Sequence, residues 1–424
     1  MSIVLITLIL GLLVLGLPIF LTLIIPSAVV VAGMPAIDAT IVMQRMVVGL
    51  DKFSIMAVPF FMYCADVMSE GQIGKRLINL TRTWVGHLPG GISIATVVAC
   101  LIFGAVSGAG SAAVVAIGGL VFGLMQQGKY DEKFSVGLIL TSSTLAMLIP
   151  PSIAYVLYAT ITGDSISELF MSGLQTGILV GLVYIVYSII VAKRRKTPLL
   201  EKASWKERFT ALKDAAWALG LIVVILGGIY GGIFTATEAA AAAAVYAIIV
   251  EVFIYRSMNL KQLIHVSVKS GKTIAMLIVL IAAGSVLSWV MTVMQIPQQL
   301  ITIMGGASSA TILLFINLVF LIAGMFVDPN SAVIVLTPLV YPLAMTAGVD
   351  SVHLATIIVL NLAIGMLTPP FGLNLFVGTN VFKKSFGDTV IGSLPFIVLT
   401  FCILILVTFI PDLAIFLPRM LFRS

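Results

Sequence analysis

The 424-residue chain is 60% hydrophobic and only 9% charged, with a mean hydropathy of +1.20, whereas an ordinary soluble domain carries about 25% charged residues. That balance excludes a soluble domain and specifies a polytopic membrane protein. Its apolar stretches run far beyond the ten alternating residues of a barrel strand, so the spans are helices. The net charge of +6, from 23 Lys+Arg against 17 Asp+Glu, clusters between apolar runs and reads as topology signal and contact with membrane lipids, with no nucleic-acid partner.

Residues 3–32 form the first expected span, and "AIDATIVMQRMVVGLDKF" (36–53) alternates at helical spacing as an interfacial segment. A span over 54–69 follows, then a polar amphipathic segment up to Leu88. From Pro89 to Gln126 the chain is apolar but interrupted by "SGAGS" at 107–111. Small polar residues at that depth point to a re-entrant hairpin whose tip is buried in protein, with a small-residue packing surface as the alternative. The next run, 134–162, is broken by Pro150-Pro151, and another span covers 169–192. Residues 193–213 carry eight Lys/Arg against two Glu, which marks the cytoplasmic side and a boundary between two halves.

The second half opens with spans at 215–232 and 235–255, where Thr235-x-x-Glu238 before an alanine run is a capping box rather than a site. A basic segment at 255–272 precedes a span at 273–293. The run 309–347 is interrupted by "DPNS" at 328–331, and 351–380 by Pro369-Pro370; the last span is 388–411. His87, His265 and His353 fall near helix ends as surface residues, while Asn317 and Asn361 can join helices through hydrogen bonds.

The interruptions repeat. Pro150 to Pro369 is 219 positions, and so is Ser111 to Asn330. Five crossings between the two tips, an odd number, make the hairpins enter from opposite faces, an inverted repeat with two re-entrant hairpins and two broken helices. Basic residues place the first hairpin on the cytoplasmic side and the second on the outer side.

Paired prolines leave carbonyls unpaired, which in hydrocarbon is costly unless a ligand or neighbour meets them. Sodium is such a ligand. Hydroxyl and amide residues stand at the interruptions: Ser107, Ser111, Thr144 and Ser152, then Asn330, Ser331, Thr368, Asn374, Thr379 and Asn380. Asp328 is the acid nearest either tip, as a cation ligand or as a helix cap. Half-helix starts at mid-membrane attract a carboxylate, and bound cations would raise its affinity.

Six segments in order, among them "GHLPGGISIATVVACLIFGAVSGAGSAAVVAIGG", "GKYDEKFSVGLILTSSTLAMLIPPSIAYVLYA", "GMFVDPNSAVIVLTPLVYPLAMTAGVD" and "IGMLTPPFGLNLFVGTN", resemble the large membrane subunit, DctM/SiaM type, of tripartite ATP-independent periplasmic (TRAP) transporters. The resemblance implies an elevator-type ion-transporter fold in the bacterial inner membrane. It also implies a small four-helix membrane subunit, a periplasmic substrate-binding protein and sodium-driven uptake of a small organic acid, sialic acid or a C4-dicarboxylate. The alternative on the same fold is a stand-alone proton- or sodium-coupled organic-anion carrier or antiporter.

The implied division is 1–88, scaffold helices and arm; 89–167, first transport half; 168–293, scaffold with the linker 193–213; 294–385, second transport half; and 386–424, C-terminal helix. Carried over by position, one of two or more Na+ sites takes Ser107, Gly108 and Ser111 with oxygens around Ile149 and Pro150. Another takes Asp328, Asn330 and Ser331 with Thr368 and Pro369. Substrate lies between them near Pro151, Ser152, Gly372 and Asn374. The first tip reads Ser107-Gly108-Ala109-Gly110-Ser111 where the family often carries Ser-Gly-Ser-Ser, and the outgoing arm lacks the family's proline.

Overall fold

The computed structural model describes residues 1–423 apart from 36 and 305. Both interruptions in each half are realised as expected. Hairpin 1 has arms Gly91–Ser107 and 110–127, and hairpin 2 has arms Ser309–Phe326 and Pro329–Thr346. Broken helix 1 runs Glu132–Thr144 and Ile153–Thr162, and broken helix 2 runs Ser351–Gly365 and Leu373–Phe382.

The 219-residue offset holds to the residue at several boundaries. Ser107 and Phe326 end the incoming arms, Gly110 and Pro329 start the outgoing ones, and Glu132 and Ser351 start the broken helices. Asp131 and Asp350 cap those starts, Asp131 accepting from the Phe134 amide at 2.9 Å and Asp350 from those of Val352 and His353 at 2.9 and 3.2 Å. The turns before them match too, with Lys129 at φ 57° and Gly348 at φ 73°. The Pro150–Pro151 and Pro369–Pro370 peptide bonds are both cis.

The halves interlock by exchanging partners. Each incoming arm packs on the first part of its own broken helix, while each outgoing arm packs on the second part of the other one. Lys384, beyond the end of broken helix 2, pairs with Glu132 at the start of broken helix 1 at 2.5 Å, and Ser351 bonds to Asp164 at the other end. The two broken helices are therefore antiparallel, which is the inversion the odd number of crossings requires.

Arginines fasten both entrances. Arg195 meets Asp131 at 3.0 Å, and Arg423 bridges Glu168, at 2.7 Å, and Asp350. Burial pushes the Asp350 carboxyl up, but Arg423 and the first-turn amides outweigh it and hold it below its ordinary value. A depressed carboxylate contributes stability above its unfolded value of about 3.9 and loses it as the pH falls through the lower folded value. Arg423→Ala is accordingly expected to lower the thermal midpoint at pH 7 by roughly 2–4 °C and to shift acid unfolding to higher pH, measured as midpoints between pH 3 and 7 in detergent.

Around this core, helix Ile166–Arg195 packs on hairpin 1 and both broken helices, and Phe386–Phe409 packs on the first part of broken helix 1. A second group of helices surrounds the core: Ile19–Ala32, Thr40–Leu50 and Ala57–Glu70 gather around Leu260–Val293, Ala236–Ile248 packs on Ala57–Glu70, and Ile73–Val85 lies against both Trp205–Ile222 and the incoming arm of hairpin 1. The Glu251 carboxylate, buried, meets the Gln72 and Ile73 amides at 3.1 and 3.2 Å and so orients the arm helix. Three junctions, 86–90, 196–204 and 294–308, connect this group to the hairpin core.

Several expectations change. Residues 3–32 are not one span but two helices, Ser2–Val14 and Ile19–Ala32, that fold back until Met1 lies beside Gly33. The reversal is made by Gly16 at φ 74° with its Schellman bonds, followed by Pro18. The basic segment 255–272 is not separate from the span after it: Leu260–Val293 is one 34-residue helix opened by an Asn259/Gln262 capping box. The linker 193–213 is helical from Trp205, where Ser204 and Glu207 form another box. The C-terminal region carries an additional helix, Asp412–Phe422. His353 is a buried residue, its Nε2 2.7 Å from the Val407 carbonyl, because the chain end covers the start of broken helix 2. Glu238 sits in its capping box with Thr235, and Asn361 donates to Asn317 at 2.5 Å, joining hairpin 2 to broken helix 2.

Candidate functional site

The tip of hairpin 1 is built on glycine. Gly108 adopts φ +61°, and a Cβ there would lie 2.1 Å from the Pro151 carbonyl oxygen, so the tip presses directly onto the break of broken helix 1. Gly110 brings the start of the outgoing arm close to Ser143, Thr144 and the Asn374 amide of broken helix 2; a Cβ there would be 3.4 Å from Asn374 Nδ2. Elements from both halves thus meet at one point.

Unsatisfied polar groups collect at that point. Ser107 and Ser152 are buried and their hydroxyls have no hydrogen-bond partner among the described residues, and the same is true of both amide atoms of buried Asn374. Burying such groups without partners costs about 1–3 kcal/mol each, so their convergence marks a place where something else is bound. Ile149, Pro150 and Pro151 are buried beside them, and Ser111 is half-buried. Ser152 precedes the half-helix Ile153–Thr162 without capping it, and Gly372, at φ +50°, precedes Leu373–Phe382 in the same way. The first-turn amides of Ile153–Thr162 are available to an anion, whereas in the second half-helix those of Asn374 and Leu375 already donate to the Met366 and Gly372 carbonyls, which leaves the Leu373 amide.

The second tip is arranged differently. Asp328 caps Pro329–Thr346, accepting from the Asn330 and Ser331 amides at 3.1 and 3.2 Å and from the Ser331 hydroxyl. Asp328, Asn330 and Ser331 face a cavity of about 530 Å³ shared with Phe20, Met62 and Thr273 of the outer helix group. The tip is tied to the second break by the Gly372 amide, which donates to the Met325 carbonyl at 3.2 Å. Thr368 donates to Ile364, and Pro369 and Pro370 are exposed. Asp328, Asn330 and Ser331 form no hydrogen bond to Thr368 or Pro369 among the described residues.

Of the residues singled out in the sequence, Ser107, Gly108, Pro151, Ser152 and Asn374 come together, whereas Thr379 and Asn380 turn back onto the Phe376 carbonyl. Sequence reasoning missed Gly110, whose role depends on the approach of Asn374 from the other half, and Ser142 and Tyr155, buried with unpartnered hydroxyls. It also missed the outer-helix wall of Phe20, Met62 and Thr273, for which no local pattern existed. In place of the absent proline, the outgoing arm of hairpin 1 has a π-turn at Val114–Gly118.

A family model described as the DctM component of the tripartite ATP-independent periplasmic transporter matches residues 6–413. The ectoine/5-hydroxyectoine TRAP transporter large permease UehC of Ruegeria pomeroyi is 40% identical over 90% of each chain. The ectoine TRAP transporter large permease TeaC of Halomonas elongata is 38% identical over the full length of both. The C4-dicarboxylate TRAP transporter large permease DctM of Pseudomonas aeruginosa is 40% identical over 88% of each. Among solved structures, the YdaH transporter of Alcanivorax borkumensis superposes with a TM-score of 0.60 over 86% of each chain at 14% identity, a likeness of fold.

Proposed function

The chain belongs to the DctM-component family of tripartite ATP-independent periplasmic transporters, and from that premise we propose that it drives sodium-coupled uptake of a small organic acid by an elevator motion. It is a multi-pass protein of the bacterial inner membrane and a transporter, not an enzyme. Its partners on this reading are a small four-helix membrane subunit and a periplasmic binding protein that delivers the solute.

The observation that carries the reading is the cluster of orphaned buried groups, Ser107, Ser152 and Asn374, where the first tip meets both breaks. Hydroxyl, amide and carbonyl oxygens around Gly108 and Pro151 suit sodium, a hard cation that needs no proton exchange to be bound or released. The half-helix amides at Ile153 and Leu373 then hold the solute's carboxylate. A second sodium at Asp328, Asn330, Ser331, Thr368 and Pro369 requires those residues to close further around it. Asp328 already serves as a cap to the Asn330 and Ser331 amides, so a cation there would share its carboxylate with the helix start.

The moving body comprises the hairpins, the broken helices and the helices packed on them, Ile166–Arg195 and Phe386–Phe409. The remaining helices form the scaffold on this reading, which extends the first transport half from 167 to the 196–204 junction. The names of the three relatives point to ectoines or C4-dicarboxylates, small carboxylate-bearing solutes, and none of them carries sialic acid.

The test is uptake into proteoliposomes containing the small subunit and binding protein, with labelled ectoine, succinate and sialic acid under sodium, potassium or proton gradients. A sodium gradient should raise uptake of one of the acids by about tenfold or more over the other gradients, a coupling of roughly 1.4 kcal/mol. Equal uptake under all three gradients rejects sodium coupling.

A further inference from the structure

A second cavity lies well outside the transport site. It has a volume of about 550 Å³ and sits between the arm helix Ile73–Val85, the junction at 200–203 and the first turns of Trp205–Ile222. Arg82, Lys202 and Lys206 line it together with Asn79, Thr83 and two carboxylates, Glu201 and Glu207. The Arg82 guanidinium donates only to Asn79, at 3.3 Å, and among the described residues neither lysine forms an ion pair. Glu207 accepts from the amide and hydroxyl of Ser204, at 2.7 and 2.9 Å, and Glu201 forms no ion pair among the described residues. The cavity therefore presents three cations against two carboxylates, a net charge of +1, on a linker, 193–213, that carries eight Lys/Arg against two Glu.

Two further observations identify what they face. Arg208, next in sequence to the lining residue Glu207, is only 8% exposed and has no acidic partner among the described residues; a terminal nitrogen lies 3.5 Å from His87 Nδ1, its Nε is unpaired, and its guanidinium stacks on Trp205 at 5.3 Å. A buried, unpaired arginine is costly without an anion nearby. The surroundings are apolar and outward-facing: Leu199, Trp205 and Phe209 are each more than half exposed, and the helix that begins at Trp205 becomes apolar within three turns. Charge below an aromatic, apolar rim is the chemistry of the membrane surface.

We propose that this cavity binds the headgroup of an anionic phospholipid. Arg82, Lys202 and Lys206 contact its phosphate, the guanidinium through its fork of donors, and the acyl chains lie along Trp205, Phe209 and the apolar helix beyond them. The inference rests on the chain being a membrane protein and is independent of sodium coupling.

The test is native mass spectrometry of the purified full chain titrated with phosphatidylglycerol and with phosphatidylcholine of matched acyl chains. The parent should prefer phosphatidylglycerol by about tenfold or more. Arg82→Gln/Lys202→Gln/Lys206→Gln should abolish the preference, Lys202→Arg/Lys206→Arg should keep it, and Lys261→Gln/Lys272→Gln, on another basic segment, should also keep it. An undiminished preference in the triple variant overturns the proposal. So does displacement of the lipid by millimolar inorganic phosphate, which would make the cavity a free-anion site, or displacement by the small subunit, which would make it a protein interface.

Discussion

Asn374→Leu is expected to reduce uptake by about 100-fold while leaving the unliganded protein about as stable as the parent. Both amide atoms of Asn374 are buried without a partner, so in the empty protein they impose a desolvation penalty of about 1–3 kcal/mol. Leucine keeps the branching and heavy-atom count and removes that penalty, but it is larger by roughly two methylene groups, so the two effects offset and the thermal midpoint in detergent should hold to within about 5 °C. Loss of the amide also removes a ligand from the site, and a 100-fold loss corresponds to about 2.7 kcal/mol of binding or transition-state energy. The same variant should show a weakened shift of its midpoint on adding sodium. Uptake within twofold of the parent, or a midpoint lowered by more than about 5 °C, would assign Asn374 to packing instead.

The second large effect is expected at Gly108. Alanine there must adopt φ +61° and place its Cβ 2.1 Å from the Pro151 carbonyl oxygen. The left-handed conformation alone costs roughly 1–2 kcal/mol. The overlap adds to it and drives the tip away from the break. Gly163 provides the comparison: its φ is +84°, but nothing lies within 4 Å of an added Cβ. Gly163→Ala should show the backbone cost with uptake nearly intact, whereas Gly108→Ala should lose uptake by more than about tenfold, over 1.4 kcal/mol. Uptake and thermal midpoints measured side by side decide the matter, and indistinguishable variants would mean that the tip-to-break contact is dispensable.

Much of this architecture was legible because interruptions are local. Glycine, proline and serine act on the backbone within a few residues, so Ser107–Ser111 and Pro150-Pro151 announced a tip and a break, and the spacing to Asp328–Ser331 and Pro369-Pro370 announced their repetition. The structure adds the paired caps Asp131 and Asp350, which keep the same spacing.

What stayed hidden depended on partners or on a single punctuating residue. Gly16 reverses the chain at φ 74° within a uniformly apolar run, so hydropathy merged two helices into one span. Charge suggested a break before residue 273, but lysine and glutamine are good helix formers, and Asn259 with Gln262 had already started the helix. At the site, residue types identified the donors, but only tertiary packing placed Asn374 against Gly110 from the opposite repeat. For Asp328 the sequence offered a cation ligand or a helix cap, and the backbone turn around it realises the cap.

The junction at 86–90 sets a tether. Five residues separate the arm helix from hairpin 1, and stretched taut between Val85 and Gly91 they reach on the order of 20 Å. The foot of that hairpin therefore cannot leave the end of the arm by more than this unless a helix end unravels, and Glu251 pins the arm's other end. The junction at 196–204 is longer, while that at 294–308 contains the helix Ile296–Ile303, which packs on the outgoing arm of hairpin 2; under the proposed elevator motion the hairpin body would hang on three unequal leashes, with the shortest, at 86–90, as its pivot.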